Sequence, residues 1–120
     1  MHARTRKSTL KAYRGLAATR ARDMSEHARL ILTMMPEPFR DVEEALDYAI
    51  RANEATNYDE PIKLRNLALA YFENGRLREA VETQKMAIAK IPVPTLWRVE
   101  LEERLAEFEA ALAESMAADD

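Results

Sequence analysis

Apolar residues recur at helical spacing along two neighbouring segments of the chain, and a single glycine separates these segments. In the segment 61–74, the apolar positions follow the i, i+3, i+4, i+7 spacing of one helix face: Leu64, Leu67, Ala68, Tyr71 and Phe72. The segment 77–88 repeats this spacing with Leu77, Ala80, Val81, Gln84, Ala87 and Ile88. Gly75 suits the left-handed end of a helix, and Pro92 stops the second helix. The pattern therefore predicts two antiparallel helices joined by a very short turn.

A second, weaker copy of this pattern lies upstream. Ala45 and Ala52 match Ala80 and Ala87, and both pairs are 35 residues apart. Asp41, with Glu three positions later, is typical of a helix start. The segment 23–34 is the expected first-half partner, because Asp23 opens another capping pattern. A connector with two prolines, residues 36–40, joins the two halves, and Phe39 is expected to act as a hydrophobic staple or plug at the start of the next helix.

Two further helices are predicted at the ends of the chain. A basic helix is expected to run from Ser8 or Thr9 to about Arg22. The sequence leaves open whether it is separate from the helix that begins at Asp23 or forms one bent helix with it, and we favour separate helices. Thr95 is expected to cap a final helix whose apolar stripe is narrow: Trp97, Leu101, Leu105, Phe108 and Leu112. One apolar stripe with a polar back is typical of a helix that closes the end of a helical array.

The hairpin of residues 61–92 resembles a tetratricopeptide (TPR) repeat, whose period is about 34 residues. The residues that carry the resemblance are Leu67, Ala68, Tyr71, Gly75, Ala80, Ala87 and Pro92. Leu64 and Gln84 depart from the usual pattern. The resemblance implies an all-α fold of antiparallel hairpins in a short right-handed solenoid of about six helices, like the terminal repeats of bacterial TPR arrays. The expected divisions are a basic helix packed on the array, a degenerate repeat, a clear repeat and a capping helix: residues 1–22, 23–57, 58–94 and 95–118.

Composition narrows the class of protein further. The chain has 120 residues, which is the size of one domain. It has no cysteine, which excludes disulfides and cysteine-ligated metals.

No apolar run is long enough to span a bilayer and no signal-peptide pattern follows the start, so no membrane contact is expected and a cytoplasmic protein is the default expectation. The net charge of −3 is unevenly spread, since residues 1–22 contain basic side chains and no acid, whereas the charged residues of 101–120 are acidic except for Arg104.

The sequence offers no constellation of side chains for catalysis. His27 has no ligand or catalytic partner at a useful spacing. Adjacent acids such as Glu43 and Glu44 diverge by about 100° on a helix and cannot flank one bond. We therefore predict no enzyme activity, no cofactor and no metal.

The resemblance implies protein–protein interaction instead. In TPR proteins the first helix of each repeat lines a concave groove, and here the expected exposed groove residues are Ile62, Arg65, Asn66, Leu69, Phe72 and Glu73. Some TPR domains bind a peptide carboxylate with Lys, Asn and Arg in these positions, but Leu69 stands where an asparagine is expected. An apolar contact bordered by Arg65 and Glu73 fits better. The expected function is an adaptor or scaffold that binds a peptide or helix of a protein partner.

The sequence is compatible with two alternative functions. Two repeats bury little surface, so the chain could be a self-assembling structural module that forms a homo-oligomer. The basic segment between Arg4 and Arg22 is also compatible with a nucleic-acid-binding accessory role, which we favour less because only Tyr13 could stack on a base.

Overall fold

The computed structural model describes residues 20–119, and this part of the chain is all-helical with no strand. Five α-helices follow one another: α1 (20–34), α2 (Val42–Ala55), α3 (Pro61–Glu73), α4 (Leu77–Ala89) and α5 (Leu96–Ala118). A short 3-10 helix, Glu37–Phe39, lies between α1 and α2. Predictions that concern residues 1–19 lie outside the described residues.

The predicted hairpin of α3 and α4 is confirmed, and its turn has the expected glycine geometry. Gly75 has a φ of 75°, and a β-carbon at this position would meet nothing within 4 Å. The glycine is therefore required by backbone conformation and not by lack of space. The Arg76 N–H donates to the Tyr71 carbonyl at 2.9 Å, and the Gly75 N–H donates to the Phe72 carbonyl at 3.0 Å. These bonds satisfy carbonyls that the end of α3 would otherwise leave unpaired.

Alanines allow α3 and α4 to lie close together. Ala68, Ala80 and Ala87 are all fully buried, as predicted. Ala68 packs with Ala80 near the turn, whereas Leu64 packs with Ala87 at the far end of the hairpin. This order shows that the two helices run antiparallel along their whole length.

The second helix pair, α2 and α3, is also antiparallel, and a hydrogen bond fixes each of its ends. The Asn53 side-chain amide donates to the Lys63 carbonyl at 3.0 Å, and the Asn74 side-chain amide donates to the Val42 carbonyl at 2.8 Å. Between these ends, α2 presents small side chains that are fully buried: Ala45, Ala49 and Ala52. Ala45 and Ala52 are therefore buried in the same way as Ala80 and Ala87, the α4 alanines that they match in the sequence.

The last helix, α5, packs on α4 through the predicted apolar stripe. Thr95 caps the helix by accepting a bond from the Arg98 N–H at 3.2 Å, and Leu101 and Phe108 are buried. Gln84 of α4 is buried as well, and its side-chain amide donates to the Leu101 carbonyl at 3.0 Å. The residue that departs from the TPR pattern at this position thus forms a polar link between α4 and α5.

Two local predictions are wrong. The separate helix start at Asp23 is not observed, because residues 20–22 are helical and continuous with the rest of α1, and Ala21 is fully buried in this register. Phe39 is 73% exposed and is neither a staple nor a plug. Instead, the Arg40 guanidinium donates to the Met35 carbonyl at 3.0 Å and ties the connector to the end of α1. The predicted cap at Asp41 is confirmed, since its carboxylate accepts a bond from the Glu44 N–H.

Enlarging one of the buried alanines should push α3 and α4 apart. We expect Ala80→Leu to lower the free energy of unfolding by about 1–3 kcal/mol, because extra methylenes in a closely packed contact force side chains and backbone to shift. Urea unfolding followed by circular dichroism measures this change. The matched control is Ala106→Leu on the exposed face of α5, which should change the free energy by less than about 0.5 kcal/mol. Equal effects of the two substitutions would contradict the packing described here.

Candidate functional site

Neighbouring helices cover much of the surface of α3 and leave one strip near its start and middle partly accessible. Helices α2 and α4 pack on one side of α3, while α1 and α5 contact its two flanks. The strip that stays accessible carries Ile62, Arg65 and Leu69, and we call it the α3 groove. Ile62 is 53% exposed, and the other two side chains are partly buried. An apolar surface with one cation beside it is therefore presented between α1 and α5.

Specific side-chain contacts build the two walls of the α3 groove. On the α1 side, the Asn66 amide donates to the Ser25 hydroxyl at 2.9 Å. On the α5 side, the rings of Phe72 and Phe108 stack with centroids 4.7 Å apart. Both contacts join residues far apart in sequence, and they fix α1 and α5 against α3.

Arg65 has an unusual electrostatic environment. Its guanidinium is about half buried, and among residues 20–119 its side chain forms one hydrogen bond, a 3.3 Å contact with the neutral Asn66 amide oxygen. Burial lowers the pKa of Arg65, and the nearby Arg29 guanidinium lowers it further, while Glu26 and Glu100 act in the opposite direction. An arginine remains charged at neutral pH despite such a shift. Among residues 20–119, no carboxylate lies within ion-pair distance of Arg65.

Its neighbour Arg29 differs in this respect, because Arg29 forms an ion pair with Glu26 one turn earlier on α1. This pairing raises the pKa of Arg29 and lowers the pKa of Glu26. Glu26, the α1 carboxylate that acts on Arg65, is thus already engaged by another cation. The positive charge in the α3 groove is only partly compensated.

The structure does not place the six residues predicted from the sequence on one common surface. Ile62, Arg65 and Leu69 lie in the α3 groove, and Glu73 lies at its edge, 3.9 Å from the Arg40 guanidinium. Asn66 is only 2% exposed and is not a groove residue, because it faces α1 and bonds Ser25. Phe72 is partly buried because its ring stacks on α5.

Sequence reasoning missed the groove residues that come from other helices. Glu26 and Arg29 approach from α1 and Glu100 approaches from α5. The i, i+3 spacing of Glu26 and Arg29 predicts an ion pair between them. It does not predict that the pair lies beside Arg65, since this depends on how α1 packs on α3.

Other candidate features of the described residues have structural roles. The His27 ring stacks on the Tyr48 ring with centroids 4.6 Å apart, which joins α1 to α2.

Within residues 20–119, no group of three or more His, Asp or Glu side chains is placed to hold a metal ion. Over the same residues, none of the helices combines the length and apolarity needed to cross a bilayer.

The role assigned to Asn66 can be tested by a double-mutant cycle with Ser25. Asn66→Ala should lower the free energy of unfolding by about 1–3 kcal/mol, since it leaves a buried polar partner unsatisfied. Ser25→Ala in the Asn66→Ala background should then have a smaller effect than it has alone, with a coupling of at least about 0.5 kcal/mol. Urea unfolding of the four proteins gives these values. Additive effects would show that the two side chains do not interact.

A scan of protein-family models and searches of curated proteins and of solved structures find no match to this chain.

Proposed function

We propose that this chain is a non-catalytic protein-interaction module with a TPR-like helical array, and that it binds a peptide or helix of a protein partner in the α3 groove. The fold supports this proposal in two ways. Successive helices from α2 to α5 each pack on the next. The α3–α4 hairpin also has the glycine turn and buried alanines that carry the resemblance to TPR repeats.

The proposal rests on Arg65, whose guanidinium is half buried without a carboxylate at ion-pair distance among the described residues. A half-buried guanidinium has lost part of its hydration, and this loss is costly unless a charged or hydrogen-bonding group replaces the water. The described residues supply no carboxylate at ion-pair distance, so a partner carboxylate would gain a charge-assisted hydrogen bond that requires little further desolvation. Arg is also among the residues that most often dominate binding energy at interfaces.

The residues beside Arg65 indicate the rest of the partner's chemistry. Ile62 and Leu69 lie on the same strip and offer apolar surface on one side of the cation. A partner segment with an acidic side chain next to a large apolar side chain complements this arrangement. Asn66 is not available to assist, because its amide is committed to Ser25. The geometry therefore favours a single ion pair within an apolar contact over a multi-residue carboxylate clamp.

A displayed random-peptide library tests this proposal, because it samples many possible partner sequences at once. We expect selection on the full chain to enrich peptides in which Asp or Glu adjoins a large apolar residue. The affinity of the selected peptides should fall at least about tenfold, which corresponds to 1.4 kcal/mol, on Arg65→Glu. Fluorescence anisotropy with labelled peptides measures this change.

The matched control is Arg51→Glu on α2, because Arg51 is exposed and lies outside the α3 groove. This substitution should leave the peptide affinity unchanged, and circular dichroism should show that both variants remain helical. Selected peptides that bind Arg65→Glu as tightly as the unmodified chain would refute the assignment of the α3 groove.

A further inference from the structure

The first turns of α5 bring an acidic side chain, Glu100, to the edge of the α3 groove. Leu64 and Leu101 belong to one buried cluster near the starts of α3 and α5, and the rings of Phe72 and Phe108 stack further along the two helices. These two contacts show that α5 runs parallel to α3. Glu100 directly precedes Leu101, so it lies level with the beginning of α3.

The Glu100 carboxylate is exposed and has no ion-pair partner among residues 20–119. It lies beyond ion-pair distance of Arg65, yet it is near enough for its charge to act on the pKa of that residue. Arg104, the basic residue one turn further along α5, is engaged by Glu107. Glu100 and Arg65 are therefore two opposite charges at the same groove that are not paired with each other.

Apolar side chains lie beside both charges. Leu96 is four residues before Glu100, on the same side of α5, and it is 75% exposed. Ile62, which lies three residues before Arg65 on α3, is 53% exposed. The starts of two parallel helices thus each offer an exposed apolar side chain followed one turn later by a charge, which is positive on α3 and negative on α5.

We propose that Glu100 is a second specificity residue of the α3 groove, and that the partner segment carries a basic residue for Glu100 as well as an acidic residue for Arg65. This inference rests on the function proposed above and extends it. The apolar side chain of the partner then lies against Ile62 and Leu96. A segment with this pattern docks in one direction only, because the reversed segment would place like charges together at both Arg65 and Glu100.

The exposure of Glu100 limits the size of its contribution. An exposed ion pair adds little affinity, because water and salt compete for both charges. A charge reversal at such a site replaces an attraction by a repulsion, and for Glu100 we expect a loss of roughly fivefold in affinity. Glu100 therefore selects among segments that Arg65 and the apolar contacts already hold, and it disfavours those with an acid on the α5 side.

Selection from a displayed random-peptide library on the full chain tests the inference. We expect peptides selected on the natural chain to carry Lys or Arg at one fixed spacing from the Asp or Glu, and peptides selected on Glu100→Arg to carry a second acid at that position. If the affinity of the selected peptides depends on Arg65 but this basic residue is absent, the inference is overturned while the proposed function holds. Peptides whose affinity does not depend on Arg65 would refute both.

A double-mutant cycle between chain and peptide measures the contact itself. One selected peptide and its variant with Ala in place of the basic residue are each bound to the natural chain and to Glu100→Arg, and fluorescence anisotropy gives the four affinities. The selected peptide should lose roughly fivefold in affinity on Glu100→Arg, whereas the Ala variant should lose none. Tighter binding of the selected peptide to Glu100→Arg would show that Glu100 only competes with the partner's acid for Arg65, and this result would overturn the inference.

The matched control is Glu114→Arg, which makes the same change of charge at an exposed position near the other end of α5. This substitution should leave both peptide affinities unchanged, and circular dichroism should show that both variants remain helical. An equal loss of affinity with Glu114→Arg would show an effect of net charge alone and would likewise overturn the inference.

Discussion

The close contact between α3 and α4 is the constraint on which the rest of the structure depends. Ala68, Ala80 and Ala87 have no exposed surface, and together they allow the two helix backbones to approach without intervening bulk. The positive φ of Gly75 reverses the chain within a very short turn, so the two helices are neighbours along their whole length. Because α3 is held in this way, α1, α2 and α5 can each pack against the α3–α4 pair.

Buried amides link the other helices to this pair. Asn53 connects α2 to α3, Asn66 connects α3 to α1, and Gln84 connects α4 to α5. A buried amide is costly when its partner is missing, so each of these bonds penalises a helix that shifts along its neighbour. The cost is visible even in the native arrangement, since the side-chain oxygens of Asn53 and Gln84 have no hydrogen-bond partner among the described residues. Apolar packing thus stabilises the array, and the amides select its register.

The α3 groove follows from the same arrangement. A helix that is contacted on both flanks and on its opposite side leaves little surface for solvent, and Arg65 lies on a strip that stays partly accessible. Its position between α1 and α5 explains both its partial burial and the influence of Arg29 on its pKa. The interaction function that we propose therefore rests on a charge whose environment is set by packing and not by its own helix.

Much of the fold could be predicted from the sequence, because the relevant signals are local. Gly75, Thr95 and Asp41 each encode a turn or a cap within a few residues, and the spacing of the alanines marks the buried face of each helix. The structure shows these features where expected. The α3 groove could be predicted only in part, because periodicity identifies the exposed side of α3 but not the side chains that arrive from other helices.

The errors have the same origin. The pattern did not reveal that Asn66 faces Ser25 or that Phe72 faces Phe108, because each partner lies more than 30 residues away. The predictions for Phe39 and Asp23 are wrong for a related reason. Local rules favour a staple and a helix start there, but Arg40 ties the connector to α1, and α1 continues through Asp23.

Native-state amide hydrogen exchange tests the central role of the α3–α4 contact most directly. If this contact supports the rest of the array, amides in the middle of α3 and α4 should be the slowest to exchange and should exchange only through global unfolding, whereas those of α1 and α5 should open at lower free energy. Exchange in α3 that is as fast as in α1 or α5 would contradict the account.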